Sequence, residues 1–120
     1  MSLKRFEEIQ AWQEARVLVR NIYSATKRPA FTRDKGLCQQ IQRAAVSCMA
    51  NTAEGFRKGS NREFVHYLNH AIASGNEVES HLYVALDLGY LSQLQFDKLF
   101  EQAELFLKLA NGFSSYLKKT

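Results

Sequence analysis

The chain has 120 residues, one proline, two cysteines and sixteen basic against twelve acidic side chains, a net +4. That length supports one core without a metal or disulfide staple, and two cysteines cannot build a disulfide framework, which suits a reducing cytoplasm. With 46% of its residues hydrophobic the chain is not a disordered tail, and no stretch approaches the ~18 consecutive apolar residues of a membrane span.

The N-terminal MSLKRFEEIQAW carries early charges but neither an apolar run nor a small-residue cleavage site, so no secretory signal is predicted. Few breakers follow, and periodicity decides the secondary structure. Ile9, Trp12, Ala15, Val19 and Ile22 recur in steps of three and four, which predicts a first helix near 6–26. Pro29 falls in a short link over 27–32, with Thr32 as the expected cap of a second helix over 33–58. That helix carries the stripe Leu37, Ile41, Ala44, Cys48, Asn51 and Gly55.

Ser60-Asn61-Arg62-Glu63 matches a capping box and opens a third helix over 61–88. Its stripe is Phe64, Leu68, Ala71, Gly75, Val78, Leu82, Ala85 and Gly89. Ser92–Gln95 is a second box, with Leu91 and Phe96 at the spacing of a hydrophobic staple. It opens a fourth helix over 93–118 through Phe96, Leu99, Ala103, Phe106, Ala110, Phe113 and Leu117. No segment shows the period of two that a strand needs. Links this short force antiparallel neighbours, so the expected fold is all-α: one up-down-up-down four-helix bundle over residues 1–120. Small residues, Gly75 with Ala71 and Ala73-Ser74 facing Ala44, Ala45, Ala50 and Ala53, predict a close pairing of the second and third helices.

The charge is unevenly placed. Residues 1–62 carry +7 and residues 63–120 carry −3. Such a split suits an anionic partner for the first half, or subunits that meet basic face to acidic face.

The string Gln40-Ile41-Gln42-Arg43-Ala44-Ala45-Val46-Ser47, continued by Ala50-Asn51-Thr52-Ala53-Glu54-Gly55, closely resembles the 23S rRNA intervening-sequence protein family. This is also called the four-helix-bundle protein family and includes the accessory variability (Avd) proteins of diversity-generating retroelements. Further matches follow in order: Phe6, Trp12-Gln13 and Ala15, Ile22-Tyr23, Gly36-Leu37, Arg57 with Ser60 and Glu63-Phe64, Gly75-Asn76-Glu77-Val78-Glu79, and Gly89-Tyr90-Leu91. The resemblance spans almost the whole chain. Met49 stands where the family often has proline, and Thr52 where isoleucine is usual. The resemblance implies a homopentamer of bundles around a central channel and, for the retroelement branch, binding to RNA and to a reverse transcriptase.

The candidate nucleic-acid-binding residues are basic. Arg16 and Arg20 share a face of the first helix, joined by Lys27 if the helix reaches it; Lys27, Arg28, Arg33 and Lys35 cluster at the first turn; Arg57, Lys58 and Arg62 cluster at the turn between the second and third helices. In an antiparallel bundle these turns lie at opposite ends, which predicts two basic ends joined along the first helix. Phosphate contacts need only such placed cations, and no base reader is evident. Arg43, Asn51, Glu54, Gly75, Glu77 and Glu79 lie inside the recognisable strings and are assigned structural roles, the charged ones in pairs between helices or subunits.

Glu63-Phe64-Val65-His66 is the Glu-x-x-His of di-iron bundles, but the fourth helix offers only Glu101-x-x-Glu104, without a histidine. His66 and His70, one turn apart, read as surface residues, and no metal site is assigned. Cys38 and Cys48 are about 15 Å apart along one helix, too far for a disulfide. No nucleophile constellation, phosphate loop or dinucleotide fingerprint is present, so neither a cofactor nor enzymatic activity is expected. Three functions remain: a non-enzymatic oligomer that binds RNA through residues 16–62, an assembly module whose charge split serves its own interface, and a ferritin-like metalloenzyme. The first is preferred.

Overall fold

The computed structural model describes residues 3–120. A 3-10 turn at Phe6–Glu8 leads into α1 (Gln10–Thr26), a short α2 (Pro29–Arg33), α3 (Lys35–Arg57), α4 (Asn61–Asp87) and α5 (Gln93–Lys118). No strand occurs among the described residues. The helices α1, α3, α4 and α5 are the four long ones expected from the sequence. Each packs against two others: α1 on α3 and α5, α4 on α3 and α5. The result is a closed, antiparallel four-helix arrangement measuring 46 × 21 × 19 Å, with α1 diagonal to α4.

Most of the predicted stripe residues form its core: Ala15 and Ile22 of α1, Ile41 and Cys48 of α3, Leu68, Val78 and Leu82 of α4, and Phe106 and Leu117 of α5 are all buried. In α1 the buried face runs through Ala11, Ala15, Leu18 and Ile22, which leaves the predicted Trp12 and Val19 half-buried at its edge, and Gly89 is exposed in the turn after α4. Steps of three and four keep these side chains on one side of each helix, which is why the stripes could be read before the packing was known. Thr52 is fully buried; its Oγ1 donates to Cys48 O at 2.8 Å, so the hydroxyl is satisfied within its own helix.

The chain differs from its sequence reading at both corners of α1. The helix starts at Gln10, not at residue 6, because Ile9 is extended (φ −76°, ψ 120°). Glu8 Oε1 accepts from the Lys4 and Arg5 amides at 2.8 and 3.3 Å and closes a separate turn. Phe6 then folds edge-on against Trp12, with ring centroids 5.1 Å apart. The 27–32 link contains the start of α2, with Pro29 in its first turn, where a missing N–H is harmless. Phe31 drops from α2 into the core.

Thr32 does not cap the next helix. Its hydroxyl is taken by Thr26 O at 2.6 Å, and Asp34 caps α3 instead, Oδ1 accepting from Leu37 N at 3.1 Å. Asp34 Oδ2 also accepts from the Tyr90 hydroxyl at 3.0 Å, which ties this corner to the α4–α5 turn. At that turn Gly89 takes φ +76°, and the Gly89 and Tyr90 amides donate to Leu86 O and Ala85 O at 3.0 and 2.9 Å, a Schellman closure. Ser92 and Gln95 then form the reciprocal box predicted for α5. At Ser60 only half of the predicted box forms, with the hydroxyl accepting from Glu63 N at 3.2 Å.

Gly75 also departs from expectation. A Cβ there would stand 2.7 Å from Leu107 Cδ2 and 3.2 Å from Phe106 Cδ2, so Gly75 makes room for α5 side chains rather than for α3 backbone. Close approach of α3 and α4 falls at Gly55, where a Cβ would meet Tyr67 Cβ at 2.9 Å and Phe64 O at 3.2 Å.

Candidate nucleic-acid interface

Arg16, Arg20, Lys27, Arg28, Arg33, Lys35, Arg57, Lys58 and Arg62 are all exposed. The polar faces of α1 and α3 present Arg16, Arg20, Lys35 and Arg57, off the stripes those helices bury, while Lys27, Arg28, Arg33, Lys58 and Arg62 stand at or beside helix ends. Arg16 lies over the Trp12 ring at 5.9 Å and Arg57 over Phe6 at 5.1 Å, so aromatic faces orient both guanidinium groups without neutralising them.

Lys58 is the one cation of the nine that forms an ion pair among the described residues, with Glu54 at 3.4 Å. It also sits 5.3 Å from the Tyr67 ring, and Tyr67 and then Glu54 raise its ammonium above the ordinary value. Eight of the nine cations are therefore available to an outside anion.

These residues do not converge. Lys35 and Arg57 stand at opposite ends of α3, about 33 Å apart at 1.5 Å per residue. Arg28, Arg33 and Lys35 belong to the end that carries Asp34 and Tyr90. Arg57 belongs to the other end, beside the N-terminal turn, where Lys4 and Arg5 join it. There Arg5 pairs with Glu7 at 2.8 Å, and Glu7 lifts the Arg5 guanidinium above its usual range while Arg5 lowers the carboxyl. The cations thus stand at two ends of the bundle, with Arg16 and Arg20 along α1 and Lys27 just past its last residue, Thr26. Sequence reading missed Lys98: it lies on α5 in the acidic half of the chain, yet it lines a concavity with Arg28. The order of the bundle could have revealed it, since closure makes the first and last helices neighbours.

The residues assigned structural roles behave differently from one another. Asn51 Nδ2 donates to Ser47 O and Oγ at 3.0 and 2.8 Å, and Ser74 Oγ donates to the same Ser47 Oγ at 2.8 Å, a polar link from α3 to α4. Among the described residues no ion pair between helices forms; pairs between subunits would need a second chain. Arg43 is exposed with no ion pair, while Glu54 and Glu77 pair one turn along their own helices, Glu77 with His81 at 3.3 Å. Helical geometry explains this, because a residue four positions away is nearer than any charge across a core filled with apolar side chains.

Glu79 is half-buried, its Oε2 is shut off from solvent without a hydrogen-bond partner among the described residues, and burial followed by the neighbouring Glu104 pushes its carboxyl up to about 7. A carboxyl near neutrality can hold or release a proton, but no group of three or more His, Cys, Asp or Glu side chains gathers around one point among the described residues. His66 and His70 face each other at 3.3 Å between Nε2 atoms, exposed on α4. Both cysteines are free; burial pushes the Cys48 thiol up to about 12, which keeps it an unreactive core residue. No helix among the described residues is long and apolar enough to cross a membrane.

The fold is shared with a crystallised protein of unknown function from Bacteroides thetaiotaomicron, assigned to the S23 ribosomal protein family. The two superpose with a TM-score of 0.79 over 87% of this chain and 97% of that one, at 20% sequence identity. No curated relative matches. The sequence profile of the 23S rRNA-intervening sequence proteins matches residues 7–112, across all four long helices. On that match the chain belongs to the 23S rRNA-intervening sequence protein family.

Proposed function

We propose that this protein is a non-enzymatic, oligomeric helical bundle that binds RNA electrostatically through the basic surface of α1, α2 and α3. The observation that carries the reading is the set of nine exposed cations along residues 16–62, the eight candidates and Arg43, that form no ion pair among the described residues. An RNA backbone needs such positioned charges and little else, and the family's name points to the same class of molecule. The homopentameric ring that the sequence resemblance implies would repeat the surface five times, so weak contacts add through effective concentration. The reverse transcriptase implied by the retroelement branch would be reached through that RNA.

The test is RNA binding measured across ionic strength, with the double variant Arg16→Glu/Arg20→Glu. Affinity is expected to fall steeply with salt, and the charge reversals to abolish binding while helicity and melting stay unchanged. Binding that ignores salt or survives both reversals rejects the reading.

A second reading is an assembly module without nucleic acid. Exposed apolar side chains on α4 and α5 favour it: Tyr83, Val84, Leu88, Leu94, Leu105 and Tyr116 are 41–65% exposed. Sedimentation separates charge-driven assembly, which weakens at high salt, from an apolar interface, which does not.

A further inference from the structure

We propose that the groove between α1 and α5 is a phosphate-binding site and that its ligand is a backbone phosphodiester of the bound RNA. Asn21, Ala25 and Arg28 line one wall, and Gln95, Lys98 and Leu99 of α5 line the other, around a concavity of about 250 Å³. Ala25 and Leu99 supply the apolar part, and the other four residues carry the donors.

Each of those donors is available. Arg28 and Lys98 form no ion pair, and the Asn21 side chain makes no hydrogen bond, among the described residues. Gln95 is already oriented: its Oε1 accepts from Ser92 N at 2.8 Å, so the end of the amide left free is the Nε2 donor. No carboxylate lines the groove. Two cations and two amide side chains lining one small space, with no carboxylate among them, suit a tetrahedral oxyanion. The N-terminal end of α5, whose second turn supplies Lys98, adds partial positive charge of the same sign.

The basic surroundings choose the source of that anion. Arg28 continues directly from Lys27 and precedes Arg33 and Lys35 at the same end of the bundle, all exposed and without an ion pair among the described residues, so the groove lies at an end rich in cations rather than alone. A polymer with a charge at every step uses such an end; a free anion needs only the groove. Lys98 thus brings a contact from the acidic half of the chain to the RNA surface. The inference rests on the protein's being an RNA binder, and its test separates the two.

The experiment uses the full chain, with a mixed-sequence single-stranded oligoribonucleotide and inorganic phosphate as alternative probes. Nuclear magnetic resonance follows the side-chain amides of Asn21 and Gln95, and binding of Lys98→Gln is titrated against salt. RNA is expected to shift both amides, and K98Q to lose affinity about fivefold, with the slope of log affinity against log salt reduced by about 0.7 for one lost contact. Lys98 is exposed and outside the core, so the variant is expected to melt as the parent does. If RNA binds but leaves the amides and the K98Q affinity unmoved, the groove assignment is overturned and RNA binding stands. If phosphate shifts the amides and RNA does not, the groove is a free-anion site and the phosphodiester assignment is wrong. If the parent chain binds no RNA at any salt, the functional reading itself falls and takes this one with it.

Discussion

Three glycines inside long helices offer one substitution in three packing environments. Glycine to alanine in a helix interior gains about 1 kcal/mol of propensity, so any difference among the sites measures what the added methyl meets. At Gly112 of α5 the methyl meets nothing within 4 Å, and Gly112→Ala should stabilise by about 0.5–1 kcal/mol. At Gly75 it would stand 2.7 Å from Leu107 Cδ2, a side-chain end that can rotate, but also 3.2 Å from Leu107 Cγ and from the fully buried Phe106 ring. Overpacking of about 1–3 kcal/mol then outweighs the propensity gain, leaving Gly75→Ala about 1 kcal/mol less stable. At Gly55 the obstacles are Phe64 Cδ1 and Tyr67 Cβ at 2.9 Å and Phe64 O at 3.2 Å. A Cβ and a carbonyl cannot turn aside; α4 must move off α3, so overpacking reaches the upper end of about 1–3 kcal/mol and Gly55→Ala should lose about 2 kcal/mol net of the propensity gain. Urea unfolding at fixed protein concentration gives the three values, and the order G112A, G75A, G55A should also appear in melting temperature, about 3–5 °C per kcal/mol for a chain of this size. A stabilised G55A, or a G112A no better than the parent, would refute this account of the α3–α4 and α4–α5 contacts.

Asp34→Ala removes both the α3 cap and the bond to Tyr90 and should cost about 1–2 kcal/mol, with Tyr90→Phe, which spares the cap, losing less in the same melts. Glu79, held up to about 7 by burial and then by Glu104, keeps its proton in the folded chain where the unfolded carboxyl, at its ordinary 4.5, has lost it. Stability should therefore be highest below 4.5 for this group and fall as pH rises to about 7. Glu79→Gln should flatten that slope and gain on the order of 1 kcal/mol at pH 8, after discounting for solvent screening. A slope retained in both Glu79→Gln and Glu104→Gln would assign the titration elsewhere.

What the sequence disclosed and what it withheld follow from the range of each interaction. Core stripes such as Phe64, Leu68, Ala71, Val78 and Leu82 were legible because helical period is a property of one segment. The box at Ser92 and Gln95 was legible for the same reason. Thr32 and Asp34 are both acceptable cap residues two positions apart; Thr26 O settles the choice by taking the Thr32 hydroxyl, and that contact exists only once the corner has folded. Gly75 announces that something approaches closely, but the register between α4 and α5 decides that it is Leu107. Lys98 was hidden because charge was counted by segment, while closure of the bundle places the last helix beside the first.

That closure bears on the charge split itself. The ion pairs of the described residues, Arg5–Glu7, Lys58–Glu54 and His81–Glu77, each lie within one turn of a single segment. None joins the +7 half to the −3 half, so folding one chain does not neutralise the difference. The Arg28 and Lys98 groove instead extends positive charge across the α1–α5 seam into the acidic half. Uncompensated charge on a folded monomer is left to an external partner. A second subunit would have to present carboxylates to α1 and α3, and α4 and α5 carry them; an RNA strand would supply phosphates to the same residues. Both cannot occupy Arg16 and Arg20 at once. Charge reversal there should consequently weaken either RNA binding or assembly in a salt-dependent way, and which of the two it weakens names the partner.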